Sequence, residues 1–574
     1  MQIDISKLGY RWKGLYAQTV DYKKGDVVRK ENKVQYYNGS TFEIMGSGQL
    51  NAENKGELLT AGTNLTLTGK HGQQLKVQSD GSMAWEHTEG RHGTTVQKIA
   101  QVRNKFNGRY NSSGSYCFPH QNMAFLMTDG TVRVTGRGNE GQHGVGNTND
   151  YGRQAGGVQT GFEKGIKIVD LYGGHHGGTF YAIDTDGRLW SWGNDNYGQL
   201  GRGTTADSGR AMLVNGNGDL PMNDKVVRVG VYDLNWWGYQ SAWCQTENGR
   251  IYSWGSNRYG CLMHEDPGFS TSTVTSPKLV PLSVREDIVD FYGSGGYYSV
   301  GFAKSRDGRL WASGEYNSMF RTAEGNASYS FPKLWTPSIE YPVRSVTYEE
   351  SDSHVSTGDQ YYRAGAIVTE DNGWWTWGHH LWYNGNNVYV DNDSAKHQNN
   401  WIPKRWSTID NIKCGHNTNG HYGAQMVLKN DGTIWGLGYD GFSTAIGGQG
   451  SNGSSWTQLG HGSDNKDIWF GGARYGKVAY LVKNDGRVVW WGGCNNGISG
   501  TGRAFNAFNT EPVRLNKTIT DIQISGYRYD DTHNLAAYYL TEDGTVYANG
   551  YNHYNMLGMD DDNDTIYSPT PVLF

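Results

Sequence analysis

Eight times along this chain a glycine ends an Asp-Gly or Asn-Gly pair set between two short alternating segments, at Gly130, Gly187, Gly249, Gly308, Gly373, Gly432, Gly486 and Gly544. Successive spacings are 57, 62, 59, 65, 59, 54 and 58 residues. Asp-Gly and Asn-Gly tolerate the positive φ that a two-residue hairpin turn needs, and alternation on both sides marks two strands with one buried face each. The clearest copy reads Phe180-Tyr-Ala-Ile-Asp-Thr-Asp-Gly-Arg-Leu-Trp-Ser-Trp-Gly193 and continues Asn-Asp-Asn-Tyr-Gly-Gln-Leu-Gly201. A further glycine follows the turn by six residues at Gly136, Gly193, Gly255, Gly314, Gly438, Gly492 and Gly550, where a Cβ would obstruct a bulge or a close backbone approach. In the fifth unit Trp377-Gly378 arrives one residue early.

A lone hairpin is marginal in water, so these units must bury their faces against one another. A period near sixty with no helical segment between leaves stacked sheets or a closed ring, and four strands per unit arranged radially protect nearly every edge. The expected fold is therefore all-β, a β-propeller over residues 96–574. The paired signature DGRLWSWGNDNYGQLG resembles the repeat of the regulator-of-chromosome-condensation family, and the pattern covers about four fifths of the chain. That family is commonly seven-bladed. Eight hairpins point to eight repeats, with seven blades as the alternative if a divergent terminal unit completes another blade.

Composition agrees with short strands and tight turns. The apolar share is 36%, and 82 glycines raise it to an ordinary globular level. A net charge of −5 over 574 residues, with both signs interspersed, offers no basic field for nucleic acid. Cys117, Cys244, Cys261, Cys414 and Cys494 are odd in number and never in CxxC spacing, so neither a disulfide framework nor a zinc site is indicated. The opening Met1-Gln-Ile-Asp-Ile-Ser does not read as a secretory signal, and no run is long enough to span a bilayer.

Residues 1–50 carry another pattern: Trp12-Lys-Gly-Leu-Tyr16, Tyr22-Lys-Lys-Gly-Asp-Val-Val28 and Val34-Gln-Tyr36-Tyr37-Asn-Gly39. Short strands with aromatic residues as most of the core suit a tiny β-domain. It resembles the small aromatic modules, akin to carbohydrate-binding modules, of glycosidases and bacteriophage structural proteins, with Trp12, Tyr16, Tyr22, Tyr36 and Tyr37 as its aromatic set. Residues 51–95 hold two alternating strands, around 62–69 and 74–85, too short to bury a core alone and best stabilised by copies from other chains. They resemble shaft segments of phage tail fibres, which implies a homo-oligomer, typically a trimer.

Catalytic motifs find no seat. Gly471-Gly-Ala-Arg-Tyr-Gly-Lys477 has P-loop spacing, but Val478 replaces the Mg²⁺-binding Ser or Thr and no helix follows. Gly136-Arg-Gly-Asn-Glu-Gly141 and Gly448-Gln-Gly-Ser-Asn-Gly453 fit GxGxxG at positions that turns explain. Adjacent histidines, His175-His176 and His379-His380, point to opposite faces of a strand and share no metal. The run Asp560-Asp-Asp-Asn-Asp564 has the place of the loop Gly203–Asp207 and reads as solvated. No cofactor is expected, and the chain is not read as an enzyme.

Aromatic residues outside the strand signature remain. Trp190, Trp192, Trp254, Trp311, Trp377, Trp435 and Trp491 lie in the repeat strands and read as core, whereas Trp236, Trp237, Tyr239, Trp382, Tyr383, Trp401 and Trp406 fall between hairpins, where flat apolar faces can stack on sugars or proteins. Together with the phage-like N-terminal segments they imply a bacteriophage virion protein, a tail or head fibre. Its N-terminal region would join other virion proteins, and its propeller loops would bind a host surface glycan or protein, without nucleic acid or membrane insertion. The rival, which the repeat family implies, is an intracellular protein-binding propeller such as a guanine-nucleotide exchange factor.

Overall fold

The computed structural model describes the strands within residues 2–101 by their backbone. From Asn122 to Phe574 it describes every residue outside 137, 150–155, 174–177, 234–239, 258–259, 265–272, 295–299, 315–328, 335–338, 340, 352–361, 379–402, 419–423, 439–452, 474–475, 493–496, 503–506, 527–534, 553–554, 560–564 and 573.

Eight sheets follow in chain order, each of four strands joined consecutively, and they form an eight-bladed propeller. Blade 1 runs from Val96–Gln101 to Val158–Gln159, blade 2 from Ile168–Gly173 to Ser208–Leu213, blade 3 from Val226–Asp233 to Thr273–Leu279 and blade 4 from Ile288–Ser294 to Tyr329–Leu334. Blade 5 runs from Val343–Ser351 to Lys404–Arg405, blade 6 from Ile412–Thr418 to Gly453–Leu459, blade 7 from Asn465–Ala473 to Ala507–Pro512 and blade 8 from Ile519–Gly526 to Thr565–Pro571. Every pairing within a blade is antiparallel. Upstream, Arg11–Leu15, Asp26–Lys30, Lys33–Tyr37 and Phe42–Ser47 make one four-stranded sheet, whose first pair is parallel. Gln2–Ile3 pairs with Met83–His87, which pairs with Gln73–Val77, and Glu57–Thr60 pairs with Thr63–Thr66.

The hairpin turns correct one expectation. They are three-residue loops, not two-residue turns. In blade 2 the Gly187 N–H donates to Asp184 O at 2.9 Å and the Asp184 N–H to Arg188 O at 3.0 Å, enclosing Thr185, Asp186 and Gly187, with Gly187 at φ +79°. Such a loop needs one left-handed residue, at its last position. The aspartate before the glycine has its own role: Asp129, Asp431 and Asp485 each accept the N–H of the residue after the glycine, at 2.9, 2.9 and 3.0 Å. In the fifth unit the left-handed residue is Asn372 (φ +62°), whose N–H donates to Thr369 O at 2.9 Å. Counted from Asn372, Gly378 lies six residues on, so the strands keep phase and only the turn's sequence has slipped. Asparagine is among the few residues that take this conformation at small cost.

The glycines six residues downstream sit at bulges, as the close-approach argument requires. Pairing with the fourth strand slips between Ser191 and Gly193, Ser253 and Gly255, and Trp490 and Gly492. Gly193 has φ +103°, and a Cβ there would strike the Gly178 carbonyl.

A second bulge recurs in every first strand and has no glycine to announce it. It falls between Ile168 and Asp170, Val226 and Arg228, Ile288 and Asp290, Val343 and Ser345, Ile412 and Cys414, and at the equivalent place in blades 1, 7 and 8. A bulge leaves a carbonyl out of the ladder. Preceding blades use such carbonyls: Gln245 Nε2 donates to Ile288 O (3.1 Å), Lys304 Nζ to Arg344 O (2.9 Å) and Lys413 Nζ to Lys466 O (2.6 Å).

The core is a ring of clusters between blades. Phe180, Trp190 and Trp192 of blade 2 pack with Ala124, Leu126 and Val134 of blade 1; Trp254 joins blade 3 to Tyr181 and Leu189 of blade 2; Trp377 joins blade 5 to Phe302 and Leu310 of blade 4. The ring closes without a shared strand. Met123, Phe125 and Met127 of blade 1 pack with Tyr538, Met556, Met559 and Phe574 of blade 8.

Candidate functional site

First strands rise from the hairpin-turn face, so connections from first to second and from third to fourth strands all leave the ring on the opposite face. The described part of that face is built from the exit loops after the third strands. Its construction explains the Asn-Tyr-Gly-Gln-Leu-Gly signature. Asp195 Oδ1 accepts the Leu200 N–H at 2.8 Å, and Asn257 and Asn552 do the same for Leu262 (3.1 Å) and Leu557 (3.0 Å). One polar side chain thereby caps a loop whose backbone would otherwise be buried unpaired.

Two residues before the closing left-handed position lies a carbonyl that serves as a node. Gln199 O accepts the Tyr181 hydroxyl of its own blade and the Trp254 indole N–H of blade 3, the latter at 2.6 Å. Ile498 O accepts the Tyr480 hydroxyl and Asn549 Nδ2 of blade 8 (3.0 Å). Met556 O accepts the Tyr538 hydroxyl and, across the closing joint, Thr135 Oγ1 of blade 1, both at 2.7 Å. Gln142 O accepts the Trp192 indole at 2.9 Å. At Gln199, Ile498 and Met556 both lone pairs of the carbonyl are used, one inside the blade and one by its neighbour. In blades 1, 2, 3 and 8 the residue before the exit glycine is thus a staple to the preceding blade, whether Trp, Asn or Thr.

Exit loops also cover outer edges. Gly203 N donates to Thr275 O and Gly502 N to Tyr567 O, both at 2.8 Å, in the fourth strands of the following blades. The base of this face is densely hydrogen-bonded, and in blade 2 it offers mainly polar residues to solvent: Asn196, Thr204, Thr205 and Asp207 are exposed, and Tyr197 is half-buried.

The structure separates the aromatic candidates. Trp236, Trp237 and Tyr239 belong to the connection between Val226–Asp233 and Gln240–Thr246, and Trp382, Tyr383 and Trp401 to that between Trp374–Gly378 and Lys404–Arg405; all six lie outside the described residues. Trp406 is a correction. It follows the fourth strand of blade 5 on the hairpin-turn side and is 7% exposed; its indole donates to Thr376 Oγ1 at 2.9 Å and its ring meets Trp456 edge-on at 5.6 Å. Cross-blade packing occupies it, and no face remains for a ligand. In the N-terminal sheet Trp12, Tyr36 and Tyr37 fall in strands, while Tyr16 and Tyr22 lie outside the described residues. Of the strand tryptophans read as core, Trp435 alone is half-buried, under Lys429 Nζ at 5.3 Å from its ring.

Titratable groups inside the ring serve structure. Ser253 Oγ lies 2.8 Å from both Leu262 O and His264 Nε2, with both side chains buried, and burial pushes the His264 imidazole down to about 4. Burial likewise pushes the Asp195 carboxyl up to about 7. Among the described residues no group of three His, Cys, Asp or Glu side chains could hold a metal ion. The P-loop-like stretch enters and leaves through paired strands, Asn465–Ala473 and Gly476–Lys483. Gly141 and Gly144 of the first GxGxxG region close successive tight turns. His175, His176, His379, His380 and Asp560 to Asp564 lie outside the described residues.

Residues 186–228 and 248–301 match the model of the regulator of chromosome condensation (RCC1) repeat, and they fall in blades 2 to 4. The chain is 27% identical to human E3 ubiquitin-protein ligase HERC2 over 199 residues, 35% of this chain and 4% of that protein. It is 34% identical to the protein RCC2 homolog of Danio rerio over 98 residues, 17% of each. It spans less than a fifth of the length of these curated relatives. Among solved structures, Prp20p of Saccharomyces cerevisiae, described with its binding to Gsp1p and histones, superposes with a TM-score of 0.46 at 15% identity, over 68% of this chain and 87% of that one. Human WBSCR16 gives 0.42 at 14%, over 73% and 85%. The chain is a β-propeller with RCC1-like repeats.

Proposed function

We propose that this protein is a binding scaffold without catalytic activity, which holds a macromolecular partner on the face opposite the hairpin turns. The observation that carries the reading is the pair of roles in each exit loop. Nodes such as Gln199 O lock neighbouring blades into a stiff base, and connections of very different length leave it, from two residues between Ala473 and Gly476 to twenty-five between Gly378 and Lys404. A stiff base with variable loops is what recognition needs, and the hairpin-turn face, with three-residue turns and connections of five to twelve residues, offers less of it.

In the finer reading the protein is a tail or head fibre of a bacteriophage virion. Residues 1–95 attach it to other virion proteins and assemble it as a homo-oligomer, a trimer, while Trp236, Trp237, Tyr239, Trp382, Tyr383 and Trp401 meet a host surface glycan or protein. The module-like and shaft-like sequences support this. Mass spectrometry of purified virions should find the protein, and sedimentation of the full chain should give about three times the monomer mass; absence from virions would remove the reading. The RCC1-repeat match supports a second reading, an intracellular protein-binding propeller acting as a guanine-nucleotide exchange factor. Faster release of a labelled nucleotide from a small GTPase in the presence of the chain would favour it over the first.

A further inference from the structure

We propose that the ring has one opening joint, between blade 8 and blade 1, and that four buried methionines make its opening sensitive to oxidation. Among the described residues seven core clusters lie between the blades, and six of them contain tryptophan. The seventh, at this joint, has none and contains Met123, Met127, Met556 and Met559, with Phe125 and Phe574 edge-on at 4.7 Å. Thioether chains are unbranched and soft, so they fill space without enforcing one arrangement, whereas an indole offers a rigid surface and a directional donor. The node here takes its cross-blade bond from a threonine hydroxyl, and no strand is shared. Every other joint is also spanned by the connection from a fourth strand to the next first strand, such as 214–225 between blades 2 and 3, so a lapse there is held in place. Among the described residues the closing joint has only its side chains and the bond from Gly156 N to Gly558 O at 2.9 Å.

Opening exposes the four sulfurs to a peroxide. A sulfur lone pair attacks the terminal oxygen, the O–O bond breaks and water leaves, giving the sulfoxide. The new S–O dipole has no donor in an apolar cluster, so the oxidised joint resists reclosing.

The molecule carries its own controls. Met212 and Met222 are 47% and 53% exposed, while Met263 and Met426 are as fully buried as the joint methionines but lie elsewhere in the ring. The full chain is treated with hydrogen peroxide over time and each methionine followed by peptide mass spectrometry. Met212 and Met222 should oxidise first. Met123, Met127, Met556 and Met559 should follow together, at least fivefold faster than Met263 and Met426. Equal rates for the six buried methionines would overturn the proposal. A lock supplies a second arm: a Cβ placed on Gly558 lies 3.8 Å from Thr135 Cβ, within disulfide range. Thr135→Cys with Gly558→Cys, oxidised and mapped, should bring the joint methionines down to the rate of Met263, with reduction restoring it. Persistent fast oxidation in the cross-linked protein would show that exposure does not pass through this joint, and would likewise end the proposal.

Discussion

Blades 2 and 5 are built on the same repeat and solve the same joining problem in opposite directions. Blade 2 staples backwards, Trp192 to Gln142 O, and receives Trp254 at its own Gln199 O, so both acceptors are main-chain carbonyls. Blade 5 reaches forwards: Trp374, at the start of its third strand, donates to the side chain of Gln425 in blade 6 at 3.0 Å, and Trp406 in the following connection closes the gap. A main-chain acceptor survives any substitution that keeps the loop. A side-chain acceptor ties the joint to one residue.

The largest effect expected from this contrast is at Trp254. Trp254→Ala removes a fully buried indole and its node bond, and should cost about 3–5 kcal/mol in denaturant unfolding; a cost below about 1 kcal/mol would mean that the backward staple does not hold the joint. Asp195 comes next. Its carboxyl is raised by burial to about 7, against about 3.9 in an unfolded chain. Between those values the folded protein holds a proton that the unfolded one has released, so stability should fall as pH climbs from about 4 to about 7 and level off above. Asp195→Asn keeps the cap, as Asn257 and Asn552 do in their blades. It should remove that slope and raise stability at pH 8 by up to a few kcal/mol, read from urea midpoints at pH 5 and pH 8. An unchanged slope would place the titration elsewhere.

A double-mutant cycle sharpens the comparison directly. Trp374→Phe or Gln425→Leu alone leaves one buried partner unsatisfied and should cost about 1–3 kcal/mol each, and the pair together less than their sum. Strict additivity would refute the forward staple. The smallest contrast lies in the turns. Gly432 has φ +80° and a Cβ there meets the Ser463 carbonyl, so Gly432→Ala should cost about 1 kcal/mol or more. Gly373→Ala meets only the Thr369 hydroxyl and the tip of Arg405 at 2.9 and 3.0 Å, and should cost less, because Asn372 holds the left-handed place.

What could be read from residue order follows from which interactions are local. The eight turns and the exit glycines were visible because positive φ selects glycine or asparagine within a few residues of a hairpin. The slip at Asn372-Gly373 was visible as a register break but not as its cause, since Asn-Gly satisfies either position. The first-strand bulges leave only a partial mark: Asp170, Asp290, Asp467 and Asp521 stand just past the slip in blades 2, 4, 7 and 8, but Lys98, Arg228, Ser345 and Cys414 hold the same place in the others, so the repeated backbone shape is not tied to one residue. Trp406 was misplaced because its distance from the hairpin core along the chain hid its contact with Trp456, fifty residues on. The node carbonyls belong to Gln142, Gln199, Ile498 and Met556, and main-chain acceptors cannot be recognised by residue type. The spacing of five from Asp195 to Leu200, Asn257 to Leu262 and Asn552 to Leu557 was the one readable trace of those loops.

The turn residue's carbonyl has a wider meaning. Gly130 O accepts Ile168 N at 2.9 Å, Gly187 O accepts Val226 N at 2.8 Å, and Asn372 O accepts Ile412 N at 2.9 Å. Units joined in this way end one side with an acceptor and begin the other with the matching donor, like links cast from one mould, whereas at blade 4 Ile288 N turns to Glu286 O. Such a unit can be duplicated or lost in whole without leaving a mismatched neighbour, so the number of blades is free to change across descendants while the handshake between them stays the same.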